Sequence, residues 1–243
     1  MIASRWQLPE SPLRASVVAA QAAGLAAVVA AAVAMRSALH LSARYPLTAG
    51  AIFAVVMAMV VGFLAEGHPF DRFGPANQIT TIRAMFVALV AGLAGEAASP
   101  AAAVAAVGGS LIVTVLDGVD GWLARRGRME STFGARFDME IDALLILALS
   151  ALAWRGGKAG AWVLTSGLLR YLFVAAGAIA PWFDKPLPPS RRRQTVCVLQ
   201  VAGLTLVMVP AIVPPLSTAI AAAALAALAY SFLVDTAWLW SSR

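Results

Sequence analysis

Successive apolar runs of about 17 to 25 residues, joined by short polar links, restrict the fold of this chain more than any other feature. A run of that length, wound at 1.5 Å per residue, crosses the roughly 30 Å hydrocarbon core of a bilayer. Backbone groups in lipid must be satisfied within the segment, so such runs point to membrane-spanning helices. Composition agrees: 61% of residues are hydrophobic and 12% charged, against about 45–50% and about 25% in soluble domains. The runs predict helices near 15–35, 46–65, 79–95, 101–124, 137–154, 160–180, 195–213 and 217–239. The expected fold is therefore an all-α polytopic transmembrane bundle of about eight spans. The first run, after Arg5 and Arg14, exceeds the roughly 7–15 residue apolar region of a signal peptide and is read as a span. Abundant Ala and Gly suit close helix contacts in lipid. The lone Cys197 has no intrachain disulfide partner and is read as packing.

Basic residues in the links set the expected orientation. With the N-terminus inside, Arg5, Arg14, Arg72, Arg125, Arg126, Arg128, Arg136, Lys185, Arg191, Arg192, Arg193 and Arg243 are cytoplasmic, while Arg36, Arg44, Arg155 and Lys158 face outward. That bias predicts a multi-pass protein with both termini in the cytoplasm. The net charge of +6 reads as attraction to anionic membrane lipids and phosphorylated substrates. Nucleic acid is not expected as a partner, because no soluble basic domain exists to hold it.

Four carboxylates interrupt the apolar pattern near mid-chain: Asp117, Asp120, Asp138 and Asp142. Spacings of three and four residues place each pair on one helix face, so two helices can direct four carboxylates to one point. Such groups repel unless cations intervene. All-oxygen donors, far in sequence from His40 and His68, favour a hard ion such as Mg²⁺ or Mn²⁺ over zinc. Gly118, Gly121 and Gly134 leave room for a backbone or bulky ligand, and Arg125 offers planar donors to a diphosphate. Together these suggest phosphoryl chemistry at the cytoplasmic surface. Acidic residues also occur in ion or proton transporters, but there they are expected near the bilayer midplane within repeated halves. Here they gather beside arginine and glycine, and no internal repeat is apparent.

The pattern Asp117-x-x-Asp120-Gly121-x-x-Ala124-Arg125, eight residues, Gly134, three residues, Asp138, three residues, Asp142 resembles the signature of the CDP-alcohol phosphatidyltransferase family at every fixed position. Upstream, Asn77-x-x-Thr80-x-x-Arg83 is similar to the stretch that opens the family's first core helix. The resemblance implies a six-helix core over 75–243, with 1–74 supplying two additional helices, and a likeness to the family also implies a homodimer. It implies transfer of a phosphatidyl-type group from a CDP-linked lipid to a polar alcohol with release of CMP. Asp117, Asp120, Asp138 and Asp142 would hold two divalent ions, Mg²⁺ or Mn²⁺, with Asp142 as general base. Asn77, Thr80, Arg83, Gly121, Ala124, Arg125, Ser131 and Gly134 would form the CDP-lipid side. A catalytically inactive relative that binds CDP-lipid is the other reading the resemblance allows.

The acceptor is less defined, because Asp138-Met-Glu140-Ile-Asp142-Ala143 lacks the proline and lysine common in members that use glycerol phosphate. Arg170, within an apolar run, must find an anion or a polar cavity. With Lys185, Arg191, Arg192 and Arg193 it is expected to form a basic pocket for a phosphorylated acceptor. The simpler readings are a positive-inside anchor for the arginine run and a packing pair between Arg170 and Glu140 or Asp235. Trp154, Trp162, Trp182, Trp238 and Trp240 read as an interfacial belt, and His68 and Asp71 as a solvated loop.

Overall fold

The computed structural model describes residues 11–64, 67–127, 129–185 and 187–242. Arg5, Arg128 and Arg243, used in the orientation reading, lie outside the described residues. Among those described are eight α-helices: α1 Ser11–Leu39, α2 Tyr45–Leu64, α3 Pro75–Gly92, α4 Pro100–Gly127, α5 Thr132–Arg155, α6 Thr165–Ile179, α7 Arg191–Met208 and α8 Leu216–Ser241. Six stretches are long and apolar enough to cross a membrane: α1 from Leu13, α2, α3 with its following 3-10 turn, α4, α6 with its preceding 3-10 turn, and α8. Charges account for the difference from the eight expected spans. α5 carries Arg136, Asp138, Glu140, Asp142 and Arg155, and α7 opens on three arginines.

Local chemistry sets the helix ends. Gly74 has a positive φ of 79°, open to glycine at little cost, and delivers the chain to Pro75 in the first turn of α3. α7 stops at Met208, short of the expected 213. Pro210 explains this, since the residue before a proline is pushed out of the helical region, and Val209 is extended at ψ 126°.

The chain forms two compact units, Met1–Ala97 with Gly108–Asp142, and Ala98–Val107 with Ala143–Arg243. In the first, α1 packs on α2 and α3. Gly24 lets α1 approach the Phe53 ring of α2, where an added Cβ would come within 2.7 Å of Phe53 Cζ. Tyr45, fully buried, donates its hydroxyl to Leu89 O of α3 at 2.9 Å. A buried polar tip thereby gains a partner that lipid could not offer.

In the second unit α7 packs on α8, and Gly203 faces Ala224 across that contact. Beyond α5, Lys158 Nζ donates to Val209 O at 3.2 Å and to Pro210 O at 3.3 Å, while Ser217 Oγ donates to Lys158 O at 2.7 Å. This ties the link after α7 to the link after α5. Trp154, Trp162, Trp182, Trp238 and Trp240 all sit in or beside terminal turns, as an interfacial belt requires, and Trp182 meets Trp240 with ring centroids 5.4 Å apart.

Candidate functional site

α3, the C-terminal part of α4 and the first turns of α5 supply a polar cluster within the first unit. Asn77, Thr80 and Arg83 recur every three residues along α3 and share a face. Asp117 and Asp120, three residues apart on α4, share a face, as do Asp138 and Asp142, four apart on α5.

Arg83 is the centre of the cluster. Its side chain is fully buried, with Nη2 2.8 Å from Asp117 Oδ1 and 2.5 Å from Asp142 Oδ1. Its Nη1 lies 2.7 Å from Asp120 Oδ2 and also contacts Asp138 Oδ1. One guanidinium thus touches all four carboxylates from two helices. A permanently charged, planar group with several donors suits that position, where a lysine would offer a single point charge. Arg83, expected on the CDP-lipid side, lies among the aspartates that are the expected metal ligands.

Exposure divides the four. Asp120 is 7% exposed at its side chain and also accepts Thr80 Oγ1 at 3.1 Å. Asp117, Asp138 and Asp142 are 40%, 39% and 23% exposed, so they can meet an incoming ligand. One oxygen from each of Asp117, Asp120 and Asp138 lies within 4.8 Å of the other two. Three converging carboxylates without nitrogen or sulfur donors fit a hard divalent cation. Asp142 adjoins that group through its shared contact with Arg83.

The residues expected to face the nucleotide fall into two local arrangements. Gly121 lies beneath Arg125, whose Nη1 would be 3.3 Å from a Cβ there, so the glycine leaves space for the guanidinium. Arg125 is exposed at the end of α4, and Ala124 O accepts Met129 N at 3.2 Å as that helix ends. At the start of α5, Ser131 Oγ accepts Gly134 N at 3.0 Å and so caps the helix. A Cβ on Gly134 would lie 3.1 Å from Asn77 Oδ1 and 3.2 Å from Ser131 Oγ. Asn77 is held in turn by donating Nδ2 to Phe73 O at 2.6 Å. α3 and α5 approach closely here because residue 134 lacks a side chain.

His68 corrects the solvated-loop expectation, while Asp71 is exposed as expected. The histidine is buried among Phe70, Phe73 and Phe133, with centroid separations of 5.4, 6.4 and 5.8 Å. Its Nε2 lies 2.7 Å from Arg72 O, and a carbonyl can only accept, so Nε2 carries a proton and donates. Nδ1 is 3.5 Å from Ser131 Oγ. The 67–74 link is thereby fastened to the start of α5, where Gly67 O also accepts Phe133 N at 3.2 Å. Phe70 and Phe73, close by in sequence, are the signal that favours this burial, whereas Phe133 reaches the ring only through the fold.

The expected acceptor residues belong to the second unit. Arg170 is half-buried on α6, and Lys185 is exposed and donates to Ser242 O. Arg191 is exposed at the start of α7. Arg192 Nη2 lies 2.5 Å and Arg193 Nη1 3.1 Å from Asp235 Oδ1 of α8, and Arg192 Nη1 donates to Ser231 O at 2.7 Å. Asp235, considered above as a partner for Arg170, is held by this arginine pair. The run is therefore more than a solvated anchor, because it joins α7 to α8.

A family model described as CDP-alcohol phosphatidyltransferase matches residues 73–234. No curated protein and no solved structure matches the chain.

Proposed function

The chain belongs to the CDP-alcohol phosphatidyltransferase family, and from that premise we propose that it transfers a phosphatidyl-type group from a CDP-diacylglycerol-like lipid to the hydroxyl of a polar alcohol, releasing CMP. The observation that carries this reading is the convergence of Asp117, Asp120 and Asp138 within 4.8 Å, beside Arg83 and Asp142. In this reading those three aspartates hold two divalent cations with Asp142 alongside. Mg²⁺ or Mn²⁺ bound there would neutralise the diphosphate and stabilise charge developing on the CMP leaving group.

The chain's own groups take the remaining roles. Asp142 removes the proton of the acceptor hydroxyl, a task suited to a partly exposed carboxylate. Arg125 pairs with the phosphates, Gly121 and Ala124 leave space for the nucleotide, and Ser131, Asn77 and Gly134 form its rim. Thr80 and Arg83 keep Asp120 in place. Arg170, Lys185 and Arg191 to Arg193 remain the proposed basic group for a phosphorylated acceptor. Arg192 and Arg193 share a single carboxylate and so keep net positive charge, which supports that role.

The proposed frame is eight crossings, with the family core over 75–243, both termini cytoplasmic and a homodimeric assembly. At 24 and 18 residues, α5 and α7 extend about 36 and 27 Å, close to a bilayer core. Purified protein incubated with labelled CDP-diacylglycerol, Mn²⁺ and a pool of candidate alcohols is expected to release CMP and form one new lipid. Absence of CMP release across that pool would count against the transferase reading.

A further inference from the structure

We infer that His68 is a positioning residue for the CDP-linked lipid, acting through Ser131 by locking the 67–74 link onto the start of α5. The inference rests on the proposed function and extends it to a histidine that precedes the matched residues 73–234. Link and helix start both belong to the first unit.

The two ends of the link sit against the stretch that joins α4 to α5. Gly67 O accepts Phe133 N at 3.2 Å and Thr132 Oγ1 at 3.3 Å. A Cβ on Gly67 would fall 2.5 Å from Thr132 Oγ1 and 3.0 Å from Phe133 N, so this approach depends on the missing side chain. At the other end, a Cβ on Gly74 would come within 2.9 Å of Met129 Cε. His68 fastens the part between. Its ring stands edge-on to Phe70 of the link and to Phe133 of α5, while Nε2 donates to Arg72 O at 2.7 Å and closes the link on itself. Pro69, Phe70, Asp71 and Arg72, with Met129, line an open cavity of about 290 Å³, so the shape His68 imposes is also the shape of a space beside the α4–α5 turn.

The second ring nitrogen faces the proposed nucleotide rim. With the proton on Nε2, Nδ1 of the neutral ring is an acceptor, and Ser131 Oγ stands 3.5 Å away, at the outer reach of a hydrogen bond. That hydroxyl accepts Gly134 N at 3.0 Å and still has its own hydrogen to donate, for which Nδ1 is an acceptor. Ser131 is thus held between the histidine and the first turn of α5, beside Gly134 and Asn77. Packing alone does not account for a histidine here. Among three phenylalanines a fourth would fill the same 8%-exposed place without burying polar atoms, so the gain lies in what the two nitrogens fix. A rim ordered before the lipid arrives loses less freedom on binding, and tighter binding follows.

Calorimetric titration of the purified protein with CDP-diacylglycerol in detergent, with Mn²⁺ present and no acceptor, tests the inference without relying on turnover. His68→Phe keeps a ring in the aromatic nest and removes both nitrogens. It is expected to weaken lipid binding about fivefold or more, the scale of one lost hydrogen bond, while Mn²⁺ uptake without lipid stays at the wild-type level. His68→Gln, whose amide supplies a donor and an acceptor, should recover most of the affinity. Ser131→Ala should weaken binding to a similar degree, and adding His68→Phe to it should bring no further loss, because one residue acts through the other. Wild-type affinity in His68→Phe, a parallel loss of its Mn²⁺ uptake, additive losses in the double variant, or His68→Gln no better than His68→Phe would each overturn the inference. Wild-type affinity in Ser131→Ala would overturn it as well, whether or not His68→Phe folds. If the wild-type protein itself does not bind the lipid, the proposed function falls and the inference with it, whereas binding that ignores His68 removes the inference alone.

Discussion

Arg83 Nη1 lies 2.7 Å from Asp120 Oδ2, the oxygen that Thr80 Oγ1 reaches at 3.1 Å from one turn earlier on α3. Two donors on one helix thereby fix the most buried carboxylate of the cluster. Thr80→Val keeps the shape and removes one donor, and should lower stability by about 1 kcal/mol, the usual net worth of such a bond. Thermal unfolding in detergent measures it; an unchanged midpoint would mean that Arg83 alone holds Asp120.

Asp142→Asn keeps the side-chain shape and removes the capacity to accept a proton. CMP release should fall by about 10²-fold or more, while Mn²⁺ uptake by the Asp117, Asp120 and Asp138 group is retained. Turnover at the wild-type rate would remove Asp142 as the base.

Gly134→Ala places a methyl 3.1 Å from Asn77 Oδ1 and 3.2 Å from Ser131 Oγ. One of these must give way, and the Ser131 cap on α5 is worth about 1 kcal/mol. Reduced affinity for CDP-lipid together with a lower unfolding midpoint is the expected result. Wild-type values for both would show that the neighbours shift without penalty.

A glycine comparison tests the packing of the second unit. An added Cβ on Gly167 would fall 2.5 Å from Leu147 Cα, a backbone atom that cannot turn aside. On Gly95, in the 3-10 turn after α3, it would meet nothing within 4 Å. Gly167→Ala should therefore destabilise by about 1–3 kcal/mol in the manner of overpacked cores, and Gly95→Ala should leave the midpoint nearly unchanged. Equal midpoints for the two variants would contradict the close approach of α5 and α6.

The helices and the four aspartates could be read from sequence because hydrophobic run length and carboxylate spacing are local properties. The end of α7 is not legible from run length, because apolarity continues through Val209 and beyond, whereas Pro210 governs the backbone. Arg83, like Arg170, stands in an apolar run and must find an anion. That its anions would be the aspartates of two other helices is a tertiary fact, invisible to spacing along α3. His68 reads as solvated because it stands in a link, and only the fold brings Phe133 of α5 against it. The pairing of Arg192 and Arg193 with Asp235 likewise joins residues more than 40 positions apart.

CMP release titrated with Mn²⁺, compared between wild type and Asp138→Asn, bears most directly on whether the aspartates of α4 and α5 form a cation-dependent transfer site. Wild type should be inactive after chelation and recover with Mn²⁺, and Asp138→Asn should need about tenfold or more Mn²⁺ for half-recovery, each 1.4 kcal/mol of lost ion binding being tenfold. Release that survives chelation, or superimposable titrations for the two proteins, would contradict it.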